Sequence, residues 1–236
     1  MSVRKSLLFG AIGFCLTNWA IATERAEYAF RWEVAKGGPS SIRQVAKTLN
    51  VQEEKPERFE VRYFDVGTCN AVPSGYTIIG RERSLGGEKP DATVKVRGPD
   101  PATSELLDWK CPLDESEKSK REVDIGFRGL DEVKRSFSVS CTLKKSGLKA
   151  SLPAGYSAAA KACSNKMERA EAESEGLKIK IEKWKLPKKR VAIEVSMVGD
   201  DTNVDFEKFK TKVVKPLMDQ KAVPLKESKT ELGGDC

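Results

Sequence analysis

The feature that most constrains this chain is a series of short segments in which apolar and charged residues alternate. Alternation with a period of two is typical of β-strands, because successive side chains of a strand point to opposite faces. Turn residues separate these segments along most of the chain. The pattern predicts eight strands, over residues 27–35, 57–66, 76–84, 92–98, 119–127, 134–144, 177–185 and 190–198.

Three further segments carry helical patterns. Residues 42–49 repeat apolar side chains at helical spacing and follow Ser40 and Ser41, either of which is a favourable N-cap. Residues 158–175 are rich in Ala, Lys and Glu and end at Gly176, which predicts a second helix. A third helix is predicted to begin near Asp205. Its apolar side would consist of Phe206, Phe209, Val213 and Leu217.

The polar faces of the predicted strands carry mostly Lys, Arg and Glu, and few Ser, Thr or Asn. An antiparallel sheet with one face in water would explain the alternation of any single strand. Charges of both signs on nearly every strand favour a closed sheet whose charged face lines a lumen. The predicted fold class is therefore α+β: an eight-stranded antiparallel closed β-barrel, or tunnel, with a polar charged lumen and helices packed outside.

The first 22 residues have the pattern of a cleavable signal peptide. Arg4 and Lys5 precede a short apolar run over residues 7–16, and Ala20 and Ala22 supply the small residues that a signal peptidase recognises. The apolar run is shorter than the roughly 20 residues that a membrane-spanning helix needs. We therefore expect cleavage and export, to the periplasm or out of the cell.

Cleavage after residue 22 would leave Thr23 as the new N-terminus and no membrane span in the mature chain. We expect one tunnel domain over residues 23–226 and a flexible C-terminal tail over residues 227–236. Removal of Arg4 and Lys5 from 42 basic residues leaves 40 against 35 acidic residues, a mature net charge of about +5. This excess agrees with an anionic ligand and equally with an ordinary solvated surface.

Export makes disulfides the expected state of the cysteines. Five would remain after cleavage, and their odd number leaves at least one outside an intramolecular disulfide. They are Cys69, Cys111, Cys141, Cys163 and Cys236. The chain contains no histidine, which excludes mechanisms that use an imidazole base and makes a thiolate–imidazole zinc site unexpected.

Several segments together resemble the CYTH domain of the triphosphate tunnel family, and they occur in the order of that family. They are FRWEVAK at 30–36 for the ExExK strand, RYFDV at 62–66 for YFDT, IIGRERS at 78–84 for LRIR, ATVKVRG at 92–98 for TLK, KREVDI at 120–125 for RRE, and VAIEVSMVGD at 191–200 for the late carboxylate-bearing strands. The first strand departs from the pattern, because Arg31 stands where an acidic residue is expected.

The resemblance implies a small phosphorylated ligand, such as triphosphate or another polyanion, and a divalent metal, Mg²⁺ or Mn²⁺. Transferred to this chain, the phosphate-binding residues would be Arg81, Arg83, Lys95 and Arg97. The metal ligands would be Glu33, Glu122 and Glu194. If the site is active, the protein would be a metal-dependent triphosphatase or a similar phosphohydrolase.

Two other functions are compatible with the sequence. The barrel could bind an anionic ligand without turning it over, or it could be a scaffold of the cell envelope that uses only its outer surface. Carboxylates open to the lumen would favour catalysis, whereas apolar side chains filling the lumen would favour a scaffold. Nucleic-acid binding is not expected, because no strand carries a basic stripe interleaved with stacking aromatic residues.

Overall fold

The computed structural model describes residues 24–68, 74–113 and 118–234. Ten strands in these ranges belong to one sheet. They are β1 (Arg25–Glu33), β2 (Gln52–Glu53), β3 (Glu57–Thr68), β4 (Thr77–Leu85), β5 (Asp91–Gly98), β6 (Lys118–Phe127), β7 (Val133–Leu143), β8 (Tyr156–Ser174), β9 (Leu177–Lys185) and β10 (Val191–Asp200).

Nine of these strands close into a barrel. They run in the order β8-β3-β4-β5-β7-β6-β1-β10-β9, and β9 pairs back with β8, while the short β2 pairs only with β8. Every pair is antiparallel except β1 with β6, which is parallel. The closed barrel is therefore confirmed. The barrel has nine strands and not the expected eight, and its sheet is mixed and not wholly antiparallel. The parallel pair was not predicted, because alternation along a strand carries no information about the direction of its neighbour.

The additional barrel strand is the segment that the sequence predicted as a helix over residues 158–175. Strand β8 is 19 residues long and pairs with β3 along one edge and with β9 along the other. Its Met167 is buried on one face, and its Ala170 and Ala172 are buried on the opposite face. Pairing along both edges outweighs the helix propensity of the Ala, Lys and Glu residues, because propensity is weaker than tertiary context.

The helices are short, and the first five of them cover the outside of the barrel. They are α1 (Ile42–Leu49), α2 (Ser104–Leu107), α3 (Leu148–Ser151), α4 (Asn203–Phe209), α5 (Lys215–Asp219) and α6 (Lys229–Gly234), with a wider π turn at Lys210–Val214 that joins α4 to α5. Of the two serines predicted as N-cap, Ser41 caps α1, since its hydroxyl accepts a hydrogen bond from the Gln44 amide at 3.2 Å. No helix in the described ranges is long and apolar enough to cross a bilayer.

The largest apolar core lies between the barrel and these helices. Phe30 and Trp32 of β1 face outwards and are fully buried, as are Val45 of α1 and Leu217 of α5. Burial of this outer layer supplies the main hydrophobic stabilisation. Because the apolar faces are used outside, the charged faces of the same strands are directed into the barrel.

A disulfide joins Cys111, in the segment after α2, to Cys141 on β7, with Cα atoms 5.8 Å apart. Cys163 is also disulfide-bonded. The predicted signal peptide, Cys69 and Cys236 lie outside the described residues. The C-terminal region was expected to be a tail, but residues 229–234 form helix α6, and Leu232 of that helix is buried.

Candidate functional site

The charged strand faces surround a cavity of about 390 Å³ inside the barrel. It is lined by residues from most of the strands and from the C-terminal segment. Among the described residues, the cationic side chains are Arg31, Arg81, Arg83, Lys95, Arg97, Lys120, Lys144, Arg169, Lys180 and Lys229, and the carboxylates are Glu27, Asp91, Glu122, Asp124, Glu182 and Glu194. The lumen is therefore polar and highly charged, with more cations than carboxylates.

All four residues predicted to bind phosphate line this cavity. Lys95 and Arg97 on β5 share one carboxylate: Lys95 Nζ lies 2.9 Å from Asp124 Oδ1, and Arg97 Nε lies 3.0 Å from Asp124 Oδ2. Burial would raise the pKa of Asp124, but the two cations outweigh burial and lower it. The charges of Lys95 and Arg97 are thus partly compensated within the protein.

The charges of Arg81 and Arg83 on β4 are compensated less than those of Lys95 and Arg97. An Arg81 Nη2 donor reaches the Thr93 hydroxyl at 3.3 Å, while the buried Arg81 Nε has no hydrogen-bond partner among the described residues. Arg83 lies 3.7 Å from Asp91 and stacks on the Phe59 ring at 5.0 Å. Burial, followed by repulsion from Arg81 and Arg169, lowers the pKa of Arg83 to about 10. The lumen around β4 therefore carries excess positive charge.

The predicted metal ligands Glu33, Glu122 and Glu194 do not form one group. Glu33 is absent from the cavity lining and is held at the end of β1 by Arg190, whose Nε lies 2.9 Å away, and by Lys36 at 3.6 Å. These partners lower the pKa of Glu33. The structure therefore places Glu33 apart from the carboxylates that line the cavity, and its role as a metal ligand stays a prediction. Arg31 is also not its partner, because Arg31 pairs with Glu194.

A different acidic group could hold a metal ion. One oxygen each from Glu27, Glu122 and Asp124 lies within 4.8 Å of the other two. Burial raises the pKa of Glu122, and the negative charge of Glu27 raises it further. Among the described residues, no cation lies within 4.0 Å of Glu27. A cation between Glu27 and Glu122 would relieve their repulsion, and oxygen donors of this kind suit hard divalent ions.

The other two buried carboxylates are held by four cationic contacts. Glu182 accepts from Arg169 Nε at 2.8 Å and lies 3.0 Å from Lys229 Nζ, and its pKa is strongly lowered by these partners despite its burial. Glu194 contacts Arg31 and lies 2.6 Å from Lys229 Nζ. These carboxylates therefore balance internal cations and are poorly placed to take an added metal ion.

Among the luminal residues that sequence reasoning did not assign to the site, Glu27, Arg169 and Lys229 were missed for different reasons. Glu27 shares a strand face with Ala29 and Arg31, so the alternation that was used for Glu33 could have found it. Arg169 was missed because residues 158–175 were predicted to form a helix, so that no strand face was assigned to it. Lys229 stands in a region expected to be a tail, and no local signal places it inside a barrel.

The lumen is divided and partly filled. A second cavity of about 380 Å³ shares Arg31, Arg97 and Asp124 with the first, and Ser228 and Thr230 line both. Beside the cavities lies an apolar cluster on the same strand faces. It consists of Phe59, Val61, Tyr63, Met167, Trp184, Leu186, Ala192, Leu225 and Leu232. Apolar side chains therefore fill one part of the barrel interior and leave the charged part open.

No protein-family model matches the chain. No curated protein is similar enough to match it.

Several solved structures are similar to the chain over most of its length. The PH1819 protein of Pyrococcus horikoshii is 13% identical, with 87% of this chain and 97% of that chain covered and a TM-score of 0.47. A conserved hypothetical protein of Pyrococcus furiosus is 14% identical, with 88% and 99% covered and a TM-score of 0.45. A Vibrio parahaemolyticus protein, whose assignment as an adenylate cyclase is itself a proposal, is 11% identical, with 89% and 97% covered and a TM-score of 0.48. At these identities and TM-scores no argument about activity follows, and the function of this chain is argued from its own residues.

Proposed function

We propose that this protein binds a small polyanion with consecutive phosphate groups, such as triphosphate, in the lumen of its barrel, together with a divalent metal. The observation that carries the proposal is the excess of positive charge in one cavity, where ten cationic side chains meet six carboxylates and, among the described residues, Arg81 and Lys180 have no carboxylate within 4.0 Å.

Burial of cationic groups without matching anions is unfavourable, because each loses hydration that no partner replaces. Arg169 has Glu182, but among the described residues neither Arg81 nor Lys180 has a carboxylate within 4.0 Å. Burial also lowers the pKa of Lys180. A ligand with several negative oxygens would compensate these cations, and the planar guanidinium fork of arginine matches phosphate oxygens in pairs.

The metal is proposed at Glu27 and Glu122, with Asp124 as a third oxygen ligand nearby. Asp124 is already bonded to Lys95 and Arg97, so Glu27 and Glu122 are the freer donors. The donor set consists of oxygen alone and fits Mg²⁺ or Mn²⁺. Such an ion, when bound, neutralises phosphate charge and lowers the pKa of a bound water.

The resemblance of the sequence to the CYTH domain supports the same ligand class. In the register of the folded chain, the ExExK pattern is better matched by Glu27, Ala29 and Arg31, which share the luminal face of β1, than by Glu33. Ala29 replaces the second acidic residue of the pattern. We therefore propose one carboxylate from this strand at the metal, with Glu122 of β6 as its partner.

Hydrolysis of the ligand is a second candidate. It is favoured by the acidic group beside Lys95, since Lys95 Nζ lies 3.8 Å from Glu122 and 2.9 Å from Asp124. A metal and a phosphate chain would then be neighbours in the same cavity. The apolar cluster inside the barrel favours the envelope scaffold. The experiment below separates hydrolysis, binding without turnover and a scaffold.

Isothermal titration calorimetry of the purified protein with inorganic triphosphate tests the proposal. The titration is carried out separately in the presence of Mg²⁺, of Mn²⁺ and of a chelator. Arg83→Gln should weaken binding about tenfold to a hundredfold, because a charge-assisted hydrogen bond contributes about 1.5–3 kcal/mol. The matched control is Arg62→Gln, which changes an exposed arginine on β3. Absence of binding by the wild-type protein, or equal losses in both variants, would overturn the proposal.

Phosphate release measured in the same samples decides between binding and hydrolysis. Metal-dependent release that Glu122→Gln abolishes would support a phosphohydrolase. Triphosphate binding without release in any metal would support a non-catalytic barrel. A protein that neither binds nor releases would be assigned as a scaffold.

We also propose that the protein is exported. The disulfide between Cys111 and Cys141 supports this, because disulfides persist mainly in oxidising compartments. Expression of the full chain in a bacterial host, followed by fractionation and N-terminal sequencing, should give a mature protein that begins at Thr23. Recovery of the uncleaved chain from the cytoplasm would contradict export.

A further inference from the structure

The C-terminal segment is packed inside the barrel. Leu225 and Leu232 belong to the apolar cluster on the inner strand faces. Asn165 Nδ2 of β8 donates to the Gly233 carbonyl at 2.9 Å. A Cβ atom added to Gly233 would lie 2.7 Å from Tyr63, so the α6 backbone is in direct contact with the inner wall. This close docking gives Lys229, at the start of α6, a defined position in the lumen.

Lys229 lies between two carboxylates that face each other. Glu182 on β9 and Glu194 on β10 are direct cross-strand partners, and their side chains are only 3% and 2% exposed. Like charges directly opposite each other on a sheet are destabilising, and burial strengthens the repulsion. Lys229 Nζ donates to Glu182 Oε2 at 3.0 Å, and it lies 2.6 Å from Glu194 Oε1 in an ion pair without hydrogen-bond geometry. One ammonium group therefore bridges the pair.

Glu182 and Glu194 each direct one carboxylate oxygen at Lys229 and the other at an arginine. The other oxygen of each carboxylate belongs to an arginine, because Glu182 Oε1 accepts from Arg169 and Glu194 Oε2 contacts Arg31. Glu182 Oε2 accepts from Trp184 Nε1 at 3.1 Å as well as from Lys229. The oxygens directed at Lys229 thus form a two-carboxylate pocket for a cation, and the protein supplies that cation itself.

We propose that Lys229 is a built-in cation that occupies a Glu182–Glu194 cation site, so that this part of the lumen is neutralised without a divalent ion. The segment that carries Lys229 also forms part of the wall between the two cavities, since Ser228 and Thr230 line both. The ion pairs of Lys229 hold this wall in place. The inference goes beyond the proposed ligand function, since it concerns a separate pair of carboxylates.

Removal of the ammonium should convert the pair into a divalent-metal site, because two converging carboxylate oxygens with water suit Mn²⁺. Lys229→Met keeps an unbranched side chain that is one atom shorter and removes its charge. We expect Lys229→Met to bind one Mn²⁺ per chain more than the wild type, counted from the free-ion signal in electron paramagnetic resonance. The double variant Lys229→Met/Glu182→Gln should lose the additional ion.

The matched control is Lys226→Met, an exposed lysine on the same segment, which should bind as many Mn²⁺ ions as the wild type. An unchanged Mn²⁺ count in folded Lys229→Met overturns the proposal. If the variant is unfolded without metal, circular dichroism should show that Mn²⁺ restores its fold, and failure of Mn²⁺ to do so also overturns the proposal. Because the readout is the difference between variant and wild type, it is independent of triphosphate binding and of an ion at Glu27 and Glu122.

Discussion

Neighbouring groups shift the pKa values of the luminal carboxylates in opposite directions. Asp124 and Glu182 each lie beside two cations, which lower their pKa values against the effect of burial. Glu122 is also buried, but its nearest cation, Lys95, lies 3.8 Å away and bonds Asp124 more closely, and Glu27 adds repulsion. Burial therefore prevails at Glu122 and its pKa is raised. This contrast leads to two predictions with opposite signs.

Glu122→Gln should stabilise the protein in metal-free buffer at neutral pH. A carboxyl group whose pKa is raised by folding destabilises the native state where it is ionised, and this penalty is lost as the pH falls towards the unfolded pKa. We expect the Tm of the variant to exceed that of the wild type at neutral pH and the two to converge in mild acid. Thermal melts across this range test the prediction, and a lower Tm of the variant at neutral pH would contradict it.

Glu182→Gln should have the opposite effect. It leaves Arg169 without its carboxylate partner and Lys229 with only Glu194, and breaking a buried pair of this kind costs about 3–5 kcal/mol. Because folding lowers the pKa of Glu182, its stabilisation is present above the ordinary carboxyl pKa and is lost only as the pH falls through the lowered value. Urea denaturation should show a constant deficit from neutral pH down to about pH 5. A deficit that disappears already near neutral pH would be inconsistent with this account.

Two elements decide the shape of the lumen, and neither was recognised from its local sequence. Strand β8 closes the barrel by pairing with β3 and β9. Helix α6 fills part of the interior and carries Lys229 to the carboxylates. Both elements are specified by contacts with distant strands. The local sequence of β8 favours a helix, and that of α6 was interpreted as a flexible tail. The fit of α6 against the inner wall can be tested at its two terminal glycines.

Gly233→Ala should destabilise the protein more than Gly234→Ala. At Gly233 the new methyl group meets the Tyr63 ring at 2.7 Å, whereas at Gly234 it meets the flexible Lys161 side chain at 2.6 Å. Overpacking against a fixed ring costs about 1–3 kcal/mol, while a lysine side chain can move aside. Chemical denaturation measures the difference. Equal stability of the two variants would show that α6 is not docked tightly.

At the scale of the whole molecule, the disulfide between Cys111 and Cys141 ties the segment after α2 to the barrel across 30 residues of sequence. Its removal by Cys111→Ala/Cys141→Ala should lower the free energy of unfolding by about 3–4 kcal/mol, mainly by freeing the unfolded chain. The single variant Cys111→Ala should lose almost as much if the cross-link is the cause. A double variant as stable as the wild type would contradict this expectation.

The sequence by itself determined the local features of this protein. Alternation predicted most of the strands within a few residues, and it assigned Arg81, Arg83, Lys95 and Arg97 to the charged face that lines the lumen. These features could be read because alternation depends only on the geometry of each strand.

Only the tertiary structure decided which charged groups meet. It made a strand of residues 156–174, set β1 parallel to β6, replaced Glu33 with Glu27 at the acidic group, and brought Lys229 between Glu182 and Glu194. Each of these outcomes depends on closure of the barrel, which pairs segments far apart in the chain. Local propensity contributes little to such pairings compared with the burial and ion pairing that closure makes available.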